Sequence, residues 1–344
     1  MAKARASSVA QSLLPLQVKN LRADQLRRLA FLCGVSTAGT KDILAARLHH
    51  IVRDARPEAK KEAKKSRETC LLSIDLGIKN LAYARLTAPA PDGSQAPSSW
   101  TSPLPVHVHA WERRDLTTAQ TSPTMPVGVL AEEPADLFTP GALATAANRF
   151  VFAAVVGGRP RPTHVVLERQ RFRTGGAAAV QEWTLRVNML EAMLHASLRT
   201  LRLAEVWDGE VMSVNPGNVN ALWLDGDRWV PGVKAVGGEV DEVAGEGKKG
   251  KETSQNIKRK KIDLLRGWLN SSDMETVIPT GEDTKLKLHD MSRSKGRMLN
   301  KEKLDDITDS LLQGMAWFRW EQNKATLCKQ GGLEQLLNLP STQI

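Results

Sequence analysis

The segment that most constrains this chain is CLLSIDLG, residues 70–77. It has the length and apolar density of a buried strand, yet it carries one carboxylate, Asp75. Burying a carboxylate there is costly unless it is paired or bound to a cation. Asp75 therefore either caps the turn at Gly77 or belongs to a site. A second apolar run, THVVLE, ends the same way in Glu168. Two strands ending in carboxylates make a shared site the stronger reading.

A third acidic element is LDDITDSLL. A helix beginning near Leu304 puts Asp306 and Asp309 three residues apart on one face, and Asp305 and Asp309 four apart. One of these acids could serve as a helix cap, but three in five residues exceed what a cap needs. Carboxylates gathered from two strand ends and a helix start suit hard divalent cations. Two such ions about 4 Å apart serve both ends of an in-line phosphodiester displacement. Asp75 is the expected bridging ligand, completed by Glu168, Asp306 and Asp309, with Asp305 as the alternate for Asp306. The acids point to phosphodiester cleavage in general, which leaves RNA–DNA hybrids, flaps and branched DNA open as substrates. A silent DNA-binding scaffold is disfavoured, because clustered carboxylates repel DNA unless cations relieve them.

The surrounding pattern predicts the architecture. VHVHAWERR alternates as a strand, KNLAYARL reads as the hairpin partner of the first strand, and EVMSVNP as a fifth strand. Residues 141–157 and 177–204 read as helices, as do KRKKIDLLRGWL and the segment after Leu304. Three meander strands, then helix, strand, helix, strand, helix, is the order of a ribonuclease-H-like α/β domain, a mixed sheet flanked by helices. It is expected over 70–326, with 327–344 as a C-terminal tail. Residues 52–69 are a charged linker with no large apolar side chain.

Upstream, LRADQLRRLAFLCGVSTAGTKDILAARL resembles a SAP motif, a small all-α helix-turn-helix unit that binds DNA, here spanning 14–51. Arg27, Arg28 and Lys41 would supply phosphate contacts. Residues 1–13 are basic and Ala-rich, which fits a mitochondrial transit segment or a basic tail.

Charge agrees with a polyanionic partner: 48 Lys and Arg against 38 Asp and Glu give a net +10. Arg169, Arg171 and Arg173 alternate with Gln170 and Phe172 just past Glu168, so the arginines share a side of an extended chain. Gln170 and Phe172 are candidates to meet unstacked bases. Lys258, Arg259, Lys260 and Lys261 are read as a DNA arm, and Lys79 stands close to the Asp75 strand. Three scattered cysteines give no zinc pattern. His107 and His109 share a strand face and are read as structural. Trp183 is placed in a helical core, while Trp317 and Trp320 are candidates for a dimer interface. No apolar run is long enough to cross a membrane.

SIDLGIKNLAYARL, LERQRFRTGG, VNMLEAMLHA, SVNPGNVNALW and LDDITDSLLQG, in that order, resemble the fungal mitochondrial Holliday junction resolvases, distant relatives of the bacterial RuvC resolvases. The resemblance covers about 70–325. It implies a ribonuclease-H-like core, a homodimer, magnesium with manganese as substitute, and paired symmetrical nicks in four-way DNA junctions within the mitochondrial matrix. No small-molecule cofactor is implied. Its four-acid site falls on Asp75, Glu168, Asp305 or Asp306, and Asp309.

Overall fold

The computed structural model describes residues 18, 20–54, 68–91, 104–118, 137–170, 181–224, 254–270 and 301–338. Its centre is a five-stranded sheet of β1 (Glu68–Asp75), β2 (Leu81–Pro89), β3 (His107–Arg114), β4 (His164–Glu168) and β5 (Glu210–Val214). The spatial order is β3-β2-β1-β4-β5. The first three strands form an antiparallel meander, whereas β4 runs parallel to β1 and β5 parallel to β4. This mixed sheet, flanked by helices, is the ribonuclease-H-like arrangement expected from the element order.

Side-chain alternation assigns the two faces. On β1 and β4, Leu72, Ile74, Val165 and Leu167 enter a cluster with Leu143, Phe150, Leu190 and Leu194. These last four come from α3 (Pro140–Val151) and α4 (Glu182–Leu203). Helix α3 is N-capped by Thr139, starts with a proline and continues as a π-helical turn over Phe152–Val156. Leu71 and Val166 enter the opposite cluster with Leu311, Leu312 and Met315 of α7 (Lys301–Leu327). Asp75 and Glu168 continue the α7-facing rows of their strands, because each lies an even number of residues from these positions. The parallel register pairs Ile74 with Leu167, so the two acids leave neighbouring strand ends side by side.

Helix α7 is buried nearly all round, from Ser310 through Trp320. A helix of that kind must be covered on every side. The sheet covers one side. The other is covered by α1 (Ala23–Leu32), α2 (Lys41–Asp54), α5 (Pro216–Leu224) and α6 (Ser254–Asn270), and by α8 (Gly332–Leu337), all sharing its cluster. Asn323 donates to the Leu32 carbonyl at 2.7 Å, and Gly34, at φ +68°, lies against the Trp320 ring. Trp317 and Trp320 are each 4% exposed. That removes them from the surface a dimer would use, because α7 lies between sheet and helices. Helix α8 falls within the stretch read as a C-terminal tail, and α5 within a stretch given no element. Among the described residues, no helix is long and apolar enough to cross a membrane.

Candidate active site

Two side chains hold the acidic turn of α7 over the strand ends. Trp111 on β3 donates through Nε1 to the Ile307 carbonyl at 2.6 Å. Gln313, one turn after Asp309, donates to Ser73 Oγ and the Ile74 carbonyl, both at 3.1 Å. Gly314 completes the approach, since a Cβ there would stand 2.6 Å from Leu86 Cδ1. The acids of β1, β4 and α7 thus converge through anchors from three elements.

Their electrostatics report the convergence. Desolvation pushes the Asp75 carboxyl well above the usual range, reinforced by a hydrogen bond with Glu168 and by the charges of Glu168, Asp309 and Asp306. Asp309 is pushed up to about 6, first by desolvation, while Lys261 opposes the shift. Asp306 is raised by desolvation, against hydrogen bonds from Asn80 and Arg113. Asp305 is 5% exposed, and its Oδ1 is buried with no hydrogen-bond partner among the described residues.

Cations occupy the positions around these acids. On α6, Lys258 Nζ lies 2.5 Å from Asp305 Oδ2, and Lys261 Nζ lies 2.8 Å from Asp309 Oδ1. Three residues apart, the lysines project from one face of the helix. Arg113 Nε lies 3.2 Å from Asp306 Oδ2. With each α7 acid drawn to its own cation, no three acids among the described residues form a ready coordination shell. The donor set still suits a hard cation: the ligand atoms are carboxylate oxygens crowded away from water, and two ammonium groups already offset charge in the cluster.

The remaining sequence candidates separate. Arg169 is exposed beside Glu168, with its backbone N–H on the Val214 carbonyl at 2.7 Å. The Gln170 backbone N–H meets Glu191 at 3.1 Å. Lys79, Arg259 and Lys260 are exposed. Lys261 is instead buried against Asp309, and Arg28 is 4% exposed because α1 turns it inward, whereas Lys41 is exposed and Arg27 half-buried. Arg171, Phe172 and Arg173 lie outside the described residues. His107 and His109 have ring centroids 4.3 Å apart, and His109 Nε2 is 2.9 Å from Thr87 Oγ1.

Sequence reasoning gave no role to Asn80 and Arg113. Asn80 is legible in retrospect: it follows Gly77, where a Cβ would meet its Oδ1 at 2.3 Å, so the turn is built to fold this amide back. Arg113 carried no signal, since an arginine near a strand end is common on a solvated face.

A model of the family described as mitochondrial resolvase Ydc2 / RNA splicing MRS1 matches residues 71–327. The chain is 25% identical over 312 residues to cruciform cutting endonuclease 1, mitochondrial, of Schizosaccharomyces pombe, covering 89% of this chain and 95% of that one. Its fold is similar to the crystal structure of the yeast mitochondrial Holliday junction resolvase Ydc2. There the TM-score is 0.50 at 23% identity, over 92% of this chain and 97% of that one.

Proposed function

This chain belongs to the mitochondrial resolvase Ydc2 / RNA splicing MRS1 family, and from that premise we propose that it is an endonuclease that resolves four-way DNA junctions. The observation that carries the reading is the convergence of Asp75 and Glu168 with Asp306 and Asp309, with Arg169 exposed next to Glu168 and Lys79 exposed next to Asn80. Carboxylates crowded this closely serve a fold poorly, but they serve a phosphodiester hydrolase well.

In this reading Asp75, Glu168, Asp306 and Asp309 hold a pair of magnesium ions, with manganese as substitute. When bound, the ions polarise the phosphoryl oxygens and lower the pKa of the attacking water. Asp306 is preferred to Asp305 because its charge acts directly on Asp75. Arg113 and Asn80 orient Asp306. Lys258 and Lys261 steady Asp305 and Asp309 until the ions bind. Arg169 and Lys79 draw the DNA backbone toward the acids. The reaction adds water across one P–O bond: oxygen joins phosphorus, the leaving oxygen departs, and one proton passes from the former to the latter. Paired nicks require two such sites, so the working form is a homodimer. The relatives' names place them in mitochondria, and we assign this chain to the same compartment, acting on mitochondrial DNA. The SAP-like unit is an auxiliary DNA contact through Arg27 and Lys41.

The test is cleavage of a synthetic four-way junction beside matched duplex, hybrid and flap substrates, with magnesium and with EDTA. Paired nicks in the junction alone, abolished by EDTA and by Asp75→Asn with binding intact, are expected. Preferential cutting of hybrid or flap would overturn the substrate. Tight junction binding without nicking would replace the enzyme by a scaffold.

A further inference from the structure

The turn after β1 reaches two places at once. Asn80 hydrogen-bonds Asp306 in the acidic cluster, while Lys79, its neighbour, places Nζ 5.7 Å from the centroid of the Phe138 ring. The Arg186 guanidinium stands 4.5 Å from the same ring. Trp183, on the first turn of α4, meets Phe138 edge-to-face at 5.9 Å and 68°. Trp183 is 43% exposed and Leu137, beside Phe138, 40% exposed. An aromatic pair flanked by two cations is thus joined through Lys79 to Asn80, the residue that bonds Asp306.

Phe138 packs against the core shared by α3 and α4, but core packing does not cover Trp183. Helix α4 buries Val187, Leu190, Leu194, Leu198 and Leu201, and Trp183 continues that stripe at its N-terminal end, where it passes beyond the core and stays 43% exposed. Exposed tryptophan costs apolar hydration and marks a surface that binds something flat and apolar. Flanking positive charge selects a flat group attached to an anion. A nucleotide is such a group: its base stacks on aromatic faces and its phosphate pairs with Lys or Arg. A second copy of the same patch would instead set Lys79 and Arg186 against like charges, although Glu182 already engages Arg186 at 2.6 Å.

We propose that Trp183 and Phe138, with Lys79 and Arg186, form a platform that stacks an unpaired nucleobase of the branched DNA strand entering the acidic site, Lys79 holding its phosphate. The assignment rests on the junction-nuclease reading. It adds a specificity device: a perfect duplex offers no unstacked base to this platform, whereas strands at a crossover do.

The experiment measures binding of the full-length protein to a labelled four-way junction and to duplex, in EDTA, with sedimentation velocity on each variant. Trp183→Ala is expected to weaken junction binding about 5- to 100-fold, the range set by loss of one base–aromatic stack, and to leave duplex binding within twofold. Trp183→Phe should stay within about threefold of wild type. Lys79→Ala should lower the dependence of log K on log salt by about one contact. Sedimentation should match wild type throughout. Junction binding by Trp183→Ala within twofold of wild type overturns the platform while the resolvase reading stands. So does a loss of binding that tracks a fall in oligomer mass, which would make the patch an interface between copies. Wild-type protein that binds and cuts junctions no better than duplex overturns both.

Discussion

The carboxylate cluster should make the metal-free protein less stable as pH rises, and Asp309 sets a scale for the effect. Its carboxyl is pushed up to about 6 in the folded chain, against about 3.9 in the unfolded chain. Between those values the folded state holds a proton that the unfolded state has released. The unfolded state binds fewer protons, so the free energy of unfolding falls with rising pH through this window and levels off above about pH 6. At about 1.4 kcal/mol per unit, Asp309 accounts for a loss of at most about 3 kcal/mol. The Asp309 side chain remains 31% exposed, and solvent screening will shrink the figure. Asp75 acts in the same direction. The assay is urea denaturation in EDTA at pH steps from 4.5 to 8, on wild type and Asp309→Asn. The substitution also takes away the partner of Lys261, which lowers the variant as a whole. What differs is the slope: wild type should lose about 1–2 kcal/mol relative to the variant between pH 4.5 and 7. Magnesium should abolish the difference, because a bound cation favours the ionised acids. Parallel pH profiles for the two proteins would refute the burial of Asp309 among the other acids.

Three further outcomes follow from the packing. Lys261→Met leaves Asp309 without its ammonium partner and should cost about 3 kcal/mol in EDTA at pH 8, with much of the loss recovered in magnesium, read by denaturation under both conditions. Gly34→Ala puts a side chain at φ +68° and a Cβ 2.4 Å from the Trp320 ring. It should cost about 2–4 kcal/mol in thermal unfolding, and a loss under about 1 kcal/mol would show that α1 is not seated on α7 as described. Gln313→Ala removes two hydrogen bonds to β1 and opens a cavity. It should cost about 2–3 kcal/mol and slow cleavage more than it weakens junction binding, since Asp309 lies one turn before the lost anchor.

The strands, their order and the acids at their ends were legible because they are written in local periodicity. Alternation along CLLSID and HVVLE fixes which side chains share a face, and a carboxylate among apolar neighbours stands out without any knowledge of partners. The three-and-four spacing of Asp305, Asp306 and Asp309 does the same for the helix. Tertiary structure alone decided what surrounds those acids. Lys258 and Lys261 read as part of a DNA arm, yet the seating of α6 on α7 turns Lys261 inward to Asp309. Arg113 reaches Asp306 only because β3 lies at the sheet edge under the start of α7. Trp183 has the look of a core residue, and only the placement of α4 leaves it at the surface beside Phe138. The N-terminal helices read as a unit apart, but α7 is buried nearly all round and they cover the side the sheet cannot. Each of these contacts joins segments far apart in the chain, where local patterns carry no information about which surfaces meet. The sequence by itself specified the elements and marked the acids; the packing of helices around α7 determined which cations, amides and aromatic rings share the site with them.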